Sequence, residues 1–108
     1  MVECNIYSKK NNFYEIINTN CEKLTNNEID IIMNEFENLQ WNDLYYYYKK
    51  SNRTNLLCLE FILYKIIFSS KQLKYLKNKC NLRNFIKYDN GLQNMLWEIL
   101  KPDFMELS

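Results

Sequence analysis

Four cysteines, Cys4, Cys21, Cys58 and Cys80, are the first candidates for metal ligation and nucleophilic attack in this chain, which has no histidine. Zinc sites are built from close pairs, since a local loop has to deliver two thiolates to one ion. Here the intervals are 17, 37 and 22 residues, so no metal site is expected. A cysteine nucleophile is ordinarily activated by an imidazole, and none exists. The expectation is four reduced thiols in an intracellular core, behaving as small apolar groups.

Carboxylates are the remaining acid–base candidates. Asp30, Glu35 and Glu37 fall on one polar helix face and read as solvated. Glu60 lies in an otherwise apolar stretch, with Lys65 on a nearby sector; an edge position or an ion pair accounts for it better than a tuned acid. A single glycine excludes glycine-rich phosphate loops. With general acid–base chemistry also lacking its usual residue, the chain is not expected to be an enzyme, and no cofactor is implied.

Binding chemistry is better represented. Residues 1–48 carry a net charge of −5 and residues 49–101 a net charge of +8, which an overall +1 conceals. Lys71, Lys74, Lys77 and Lys79 with Arg83 and Lys87 could form a stripe able to meet phosphates, with Lys49, Lys50 and Arg53 as a second cluster; lysines that only solubilise the body, its acidic half facing its basic half, are the simpler reading. Arginine, the better phosphate fork, is scarce. The four consecutive tyrosines Tyr45 to Tyr48 point all round a helix, so with Trp41 they leave one or two rings exposed, where aromatic groups anchor protein partners. The candidate partner surface is therefore Trp41, Tyr45, Tyr46 and Tyr47, joined by Phe104, Met105 and Leu107 of the C-terminal tail. A core face made of Trp41, Leu44 and Tyr48 is the simpler use of the same residues.

These side chains must be positioned by helices. Thr25-Asn26-Asn27-Glu28 is a capping box with Leu24 and Ile29 as its hydrophobic staple, and Ile29, Ile32, Met33, Phe36 and Leu39 repeat at helical spacing behind it. A short helix comes next, from Trp41 to Lys50. Residues Asn55 to Phe68 are apolar on nearly every side, the mark of a helix enclosed by others. Ser69-Ser70-Lys71-Gln72 repeats the capping-box pattern and predicts a further helix with Leu73, Leu76 and Cys80 inward. Asp89-Asn90-Gly91 reads as a turn with glycine left-handed. A last helix, Leu92 to Leu100, turns Leu92, Met95, Leu96, Ile99 and Leu100 inward and keeps Trp97 on its flank, before Pro102 stops it. Residues 1–20 are open between an extended arm leading into a helical turn and a short hairpin pairing Val2–Ile6 with Phe13–Ile17.

The chain is thus expected to be one domain (1–20 arm or hairpin, 24–101 helical body, 102–108 tail). Its fold class is mainly α: a compact bundle of five to six helices around a buried central helix at 55–68, with a possible N-terminal β-hairpin. Its 17 asparagines, with no alanine, fit AT-rich coding, as in intracellular parasites, large DNA viruses and some bacteria. The start Met1-Val2-Glu3-Cys4-Asn5 has neither a basic nor an apolar leader region, so a cytoplasmic location is expected. No run approaches the roughly 20 apolar residues of a membrane span. The function expected is a non-catalytic protein–protein interaction module or accessory subunit of a larger assembly. An RNA- or ribosome-associated factor using the lysine stripe is the alternative.

Overall fold

A computed structural model describes residues 6–51 and 57–102, except the side chains of residues 6–8 and 84. The chain is mainly helical, and no strand occurs among the described residues. The α-helices are α1 (Ile6–Asn20), α2 (Asn26–Glu37), α3 (Trp41–Ser51), α4 (Leu59–Ser69) and α5 (Gly91–Leu100). Two 3₁₀ helices, Lys74–Asn78 and Arg83–Tyr88, lie between α4 and α5.

The hairpin is not formed: its loop and its second strand are both inside α1. Phe13, Ile17 and Cys21 recur every fourth residue and all three are buried, which places them on one helical face. The helix is closed at its C-terminal end by its own side chains. Thr19 Oγ1 donates to the Glu15 carbonyl and Asn20 Nδ2 to the Ile16 carbonyl, both at 2.8 Å. The first half of the expected hairpin, Val2 to Asn5, lies outside the described residues.

The capping box that opens α2 is complete. Glu28 N–H donates to Thr25 Oγ1 at 3.1 Å, and Thr25 N–H donates to Glu28 Oε1 at 2.9 Å. Ile32 and Phe36 are the buried face, and the Phe36 ring stacks on Phe13 of α1 with centroids 4.1 Å apart. Lys10 of α1 pairs with Glu37 at the other end of α2. The two helices therefore meet apolar to apolar, with an ion pair at the rim.

The apolar helix is α4. It packs against α1, α2, α5 and both 3₁₀ helices, and Phe61, Ile62, Leu63, Ile66 and Ile67 have no exposed surface. It starts later than expected: Leu57 and Cys58 are not helical, and residues 52–56 lie outside the described ones. Cys58 is extended, and its N–H donates at 3.0 Å to the Gln93 side chain of α5, which draws the backbone away from the helix path.

The second capping box does not form a helix. Ser69 ends α4, and the Ser70 N–H is already bonded to the Ile66 carbonyl at 3.0 Å. The chain then makes a turn and enters the Lys74–Asn78 3₁₀ helix, closed by bonds from Leu76 to Leu73 and from Lys79 to Leu76. The buried positions explain the tighter winding. At each 3₁₀ helix the buried pair, Leu73–Leu76 and Leu82–Phe85, is three residues apart, the period that keeps side chains aligned on a 3₁₀ helix.

Gly91 does not take a left-handed conformation, since no glycine here has positive φ. It is the first residue of α5, capped by Asn90, whose Oδ1 accepts from Gln93 N–H at 3.0 Å. α5 also turns differently from expectation. Gln93, Leu96, Trp97 and Leu100 are buried, whereas Leu92 is 37% exposed. Packed against both α3 and α4, the helix has two neighbours to satisfy, and this brings Trp97 inward. One continuous cluster of buried side chains draws on α1 to α5 and on both connecting 3₁₀ segments.

Cys21 and Cys80 are joined as a disulfide, contrary to the expectation of reduced thiols. The pairing is not accessible to spacing arguments, because 59 residues separate the two positions. Among the described cysteines, Cys58 alone is a free thiol.

Candidate partner-binding surface

The aromatic candidates on α3 divide by face. Trp41 is buried: its ring tilts against Phe36 at 4.9 Å, and its Nε1 donates to the Phe36 carbonyl at 2.8 Å. That bond adds to the one the same carbonyl, in the last turn of α2, accepts from Leu39 N–H at 3.3 Å. Leu44 is buried with it, and Tyr48 is half-buried against the core. Tyr47 also turns inward, its hydroxyl donating to Met95 Sδ of α5 at 3.8 Å. Trp41 is thus taken up by the core, while Tyr47, half-buried like Tyr45, is engaged with α5.

Tyr45 and Tyr46 remain. Tyr45 is half-buried, and Tyr46 is 62% exposed, the most exposed large hydrophobic side chain among the described residues. The Lys50 ammonium stands 5.9 Å from the Tyr46 ring centroid, one helical turn along. This outer face of α3 presents a ring edged by the cations Lys49 and Lys50, both exposed. Phe104, Met105 and Leu107 lie outside the described residues, as does Arg53.

The lysines do not form the expected stripe on one α-helix, because residues 71–79 are a turn and a 3₁₀ helix. Lys71, Arg83 and Lys87 are exposed, while Lys74 is half-buried. Lys77 lies across the Phe68 ring at 4.5 Å, and Lys87 over the Tyr88 ring at 5.2 Å. Lys79 turns to Glu28 of α2 and forms an ion pair at 3.3 Å. Gln72 reaches the same acidic helix, donating to Glu35 at 2.8 Å. The basic segment and the acidic helix therefore meet along a seam made by the Lys79–Glu28 ion pair and the Gln72–Glu35 hydrogen bond.

At the centre of that seam is Glu28, only 7% exposed. Besides Thr25 N–H, it accepts from the Tyr75 hydroxyl at 2.7 Å and from Lys79. The Tyr75 hydrogen bond, the Thr25 amide and the Lys79 ammonium together hold its carboxyl at about 2, with burial opposing them. The same contact pushes the Tyr75 phenol above its ordinary value, aided by burial and by the carboxylate charge. Glu28 is legible in the sequence as a cap, but its partnership with Tyr75 is not. A tyrosine 47 residues away leaves no local trace.

Glu60 and Lys65 do not pair with one another. Glu60 accepts from the Cys58 thiol at 3.4 Å, and Lys65 lies over the Phe61 ring at 5.3 Å. Burial, with the nearby Glu60 carboxylate, pushes the Cys58 thiol up, the opposite of what a nucleophile needs. No group of three or more acidic, cysteine or histidine side chains able to hold a metal occurs among the described residues. Among the same residues, no helix is long and apolar enough to cross a membrane. The chain matches no protein-family model, no curated protein and no solved structure.

Proposed function

We propose that the chain is a non-catalytic protein–protein interaction module, an accessory subunit of a larger intracellular assembly, and that it engages its partner through Tyr45 and Tyr46 on α3. The exposure of Tyr46 supports this reading. It is a large amphipathic ring on the outer face of a helix whose other face is fixed in the core by Trp41 and Leu44. A ring presented from a rigid helix loses little conformational freedom on binding, which is why such groups anchor interfaces. Co-purification of the tagged chain from its native source tests it. Replacing Tyr45 and Tyr46 by alanine should remove a stoichiometric protein while leaving the circular-dichroism spectrum unchanged; retention of that protein would overturn the reading.

Exposure of Lys71, Arg83 and Lys87 supports a second reading, an RNA- or ribosome-associated factor. The Glu28–Lys79 pair weighs against it by withdrawing one cation. Charge reversal at Lys74, Lys77 and Arg83 should then weaken RNA binding and flatten its salt dependence. Unaltered binding eliminates this alternative.

A further inference from the structure

The disulfide between Cys21 and Cys80 sits at an isolated antiparallel bridge. Glu22 N–H donates to the Lys79 carbonyl and Asn81 N–H to the Asn20 carbonyl, both at 2.8 Å. The two cysteines thereby occupy the non-hydrogen-bonded position of an antiparallel pair, where facing side chains come closest. The bridge fastens the end of α1 to the segment running from Ser70 to Tyr88. That segment consists of turns and 3₁₀ helices, whose hydrogen bonds are less well aligned than those of an α-helix.

Both cysteines lie at the edge of the core. Cys21 is 9% and Cys80 7% exposed, whereas Ile17, Leu73 and Leu76 just inside are fully enclosed. A small thiol can therefore reach the sulfurs after the two bridge bonds open. Opening there has a direct electrostatic consequence. Lys79 adjoins Cys80, and with Tyr75 it supplies two of the three groups around Glu28.

We propose that Cys21 and Cys80 form a reversible redox latch. Closed, it ties residues 70–82, whose 3₁₀ helix packs on α4, to the end of α1 and, through Tyr75 and Lys79, to Glu28 of α2. Reduced, it releases that segment locally, uncovers the Glu28 carboxylate at the start of α2, and leaves α4 and α5 folded. The inference goes beyond partner binding and takes from that reading only the intracellular setting, where protein disulfides are exchanged rather than permanent. The co-reactant is a low-molecular-weight thiol. One thiolate attacks a cysteine sulfur, forming a mixed disulfide and releasing the other cysteine as a thiolate; a second attacks the small thiol's sulfur in that mixed disulfide and releases the remaining cysteine. Overall, two small thiols become one small disulfide, and their two electrons and two protons pass to the two cysteines.

The test equilibrates the full chain in a series of reduced and oxidised glutathione, blocks thiols in acid, and maps them by peptide mass spectrometry. Hydrogen exchange is measured at each end of the series. One two-electron transition at Cys21 and Cys80 is expected, with protection in residues 70–82 falling about tenfold or more on reduction while 59–69 keep theirs. Unchanged protection at 70–82, loss of protection throughout, or free Cys21 and Cys80 thiols under oxidising conditions would each overturn the latch. The double variant Cys21→Ser, Cys80→Ser should show the reduced pattern at every glutathione ratio. If it does not fold, the wild-type series still decides. No partner enters this measurement, so its failure is distinct from failure of the α3 interface.

Discussion

Thr25-Asn26-Asn27-Glu28 and Ser69-Ser70-Lys71-Gln72 have the same capping pattern, flanked by the staple pairs Leu24/Ile29 and Phe68/Leu73, yet only the first opens an α-helix. The difference lies in the chain on either side of them. Thr25 comes after a break, with Lys23 at φ 57, so its hydroxyl and its amide are both available to Glu28. Ser69 is still the last residue of α4, and its hydroxyl is enclosed without a hydrogen-bond partner. Beyond the first box the apolar residues Ile29, Ile32 and Phe36 are separated by steps of three and four; beyond the second, Leu73, Leu76, Leu82 and Phe85 are separated by threes and sixes. A capping box is a local offer of two hydrogen bonds. It is taken up where the backbone is unengaged and the next turns have an α-helical face to bury.

This contrast can be broken most severely at Leu76. If burial rather than helical bonding holds the 3₁₀ region, Leu76→Ala should cost about 2–5 kcal/mol in chemical denaturation. A loss below about 1 kcal/mol would mean that the segment is not anchored by its core contacts.

Acid titration separates the boxes next, because only the first contains a carboxylate. Glu28 is held at about 2, against an ordinary 4.5. The stability it contributes is present above the ordinary value and is lost as pH falls from there through the folded value. Glu28→Gln, which makes the first box resemble the second, should flatten the stability profile across that interval; an unchanged slope would assign the acid sensitivity elsewhere.

Smaller again, Thr25→Ala should destabilise by about 1 kcal/mol, as for other N-caps. Ser69→Ala should do the reverse, leaving stability unchanged or raising it by up to about 1 kcal/mol, because it removes an unsatisfied enclosed hydroxyl. Equal losses at the two positions, read from thermal or denaturant melts, would erase the distinction between them.

Much of the fold is legible in the residues. The start of α2, the enclosure of α4 and the end of α5 before Pro102 arise from capping, periodicity and ring sterics. On α3 the core face of Trp41, Leu44 and Tyr48 is visible as one use of the aromatics, with one or two unassigned tyrosines left over. The departures share a cause. Phe13 and Ile17 fit a strand or a helix equally well over so short a run, and packing on Phe36 and α4 selects the helix. Trp97 falls on the flank of α5 only if the helix has one apolar face, whereas it has two neighbours. The multiples of three after Ser70 are a usable sign of 3₁₀ winding.

The sequence by itself determined that the chain is mainly helical, that α4 is its axis, that Thr25 opens α2, and that histidine-based chemistry is excluded. Each depends on composition or on residues no more than a turn or two apart. Only the tertiary structure decided that Cys21 meets Cys80, that Tyr75 and Lys79 close around Glu28, and that α3 keeps Tyr46 outside while Trp41 goes in. Those contacts join residues remote in the chain. They form only once apolar burial has brought α1, α2 and the 3₁₀ segment together, and that burial carries no directional record in local spacing.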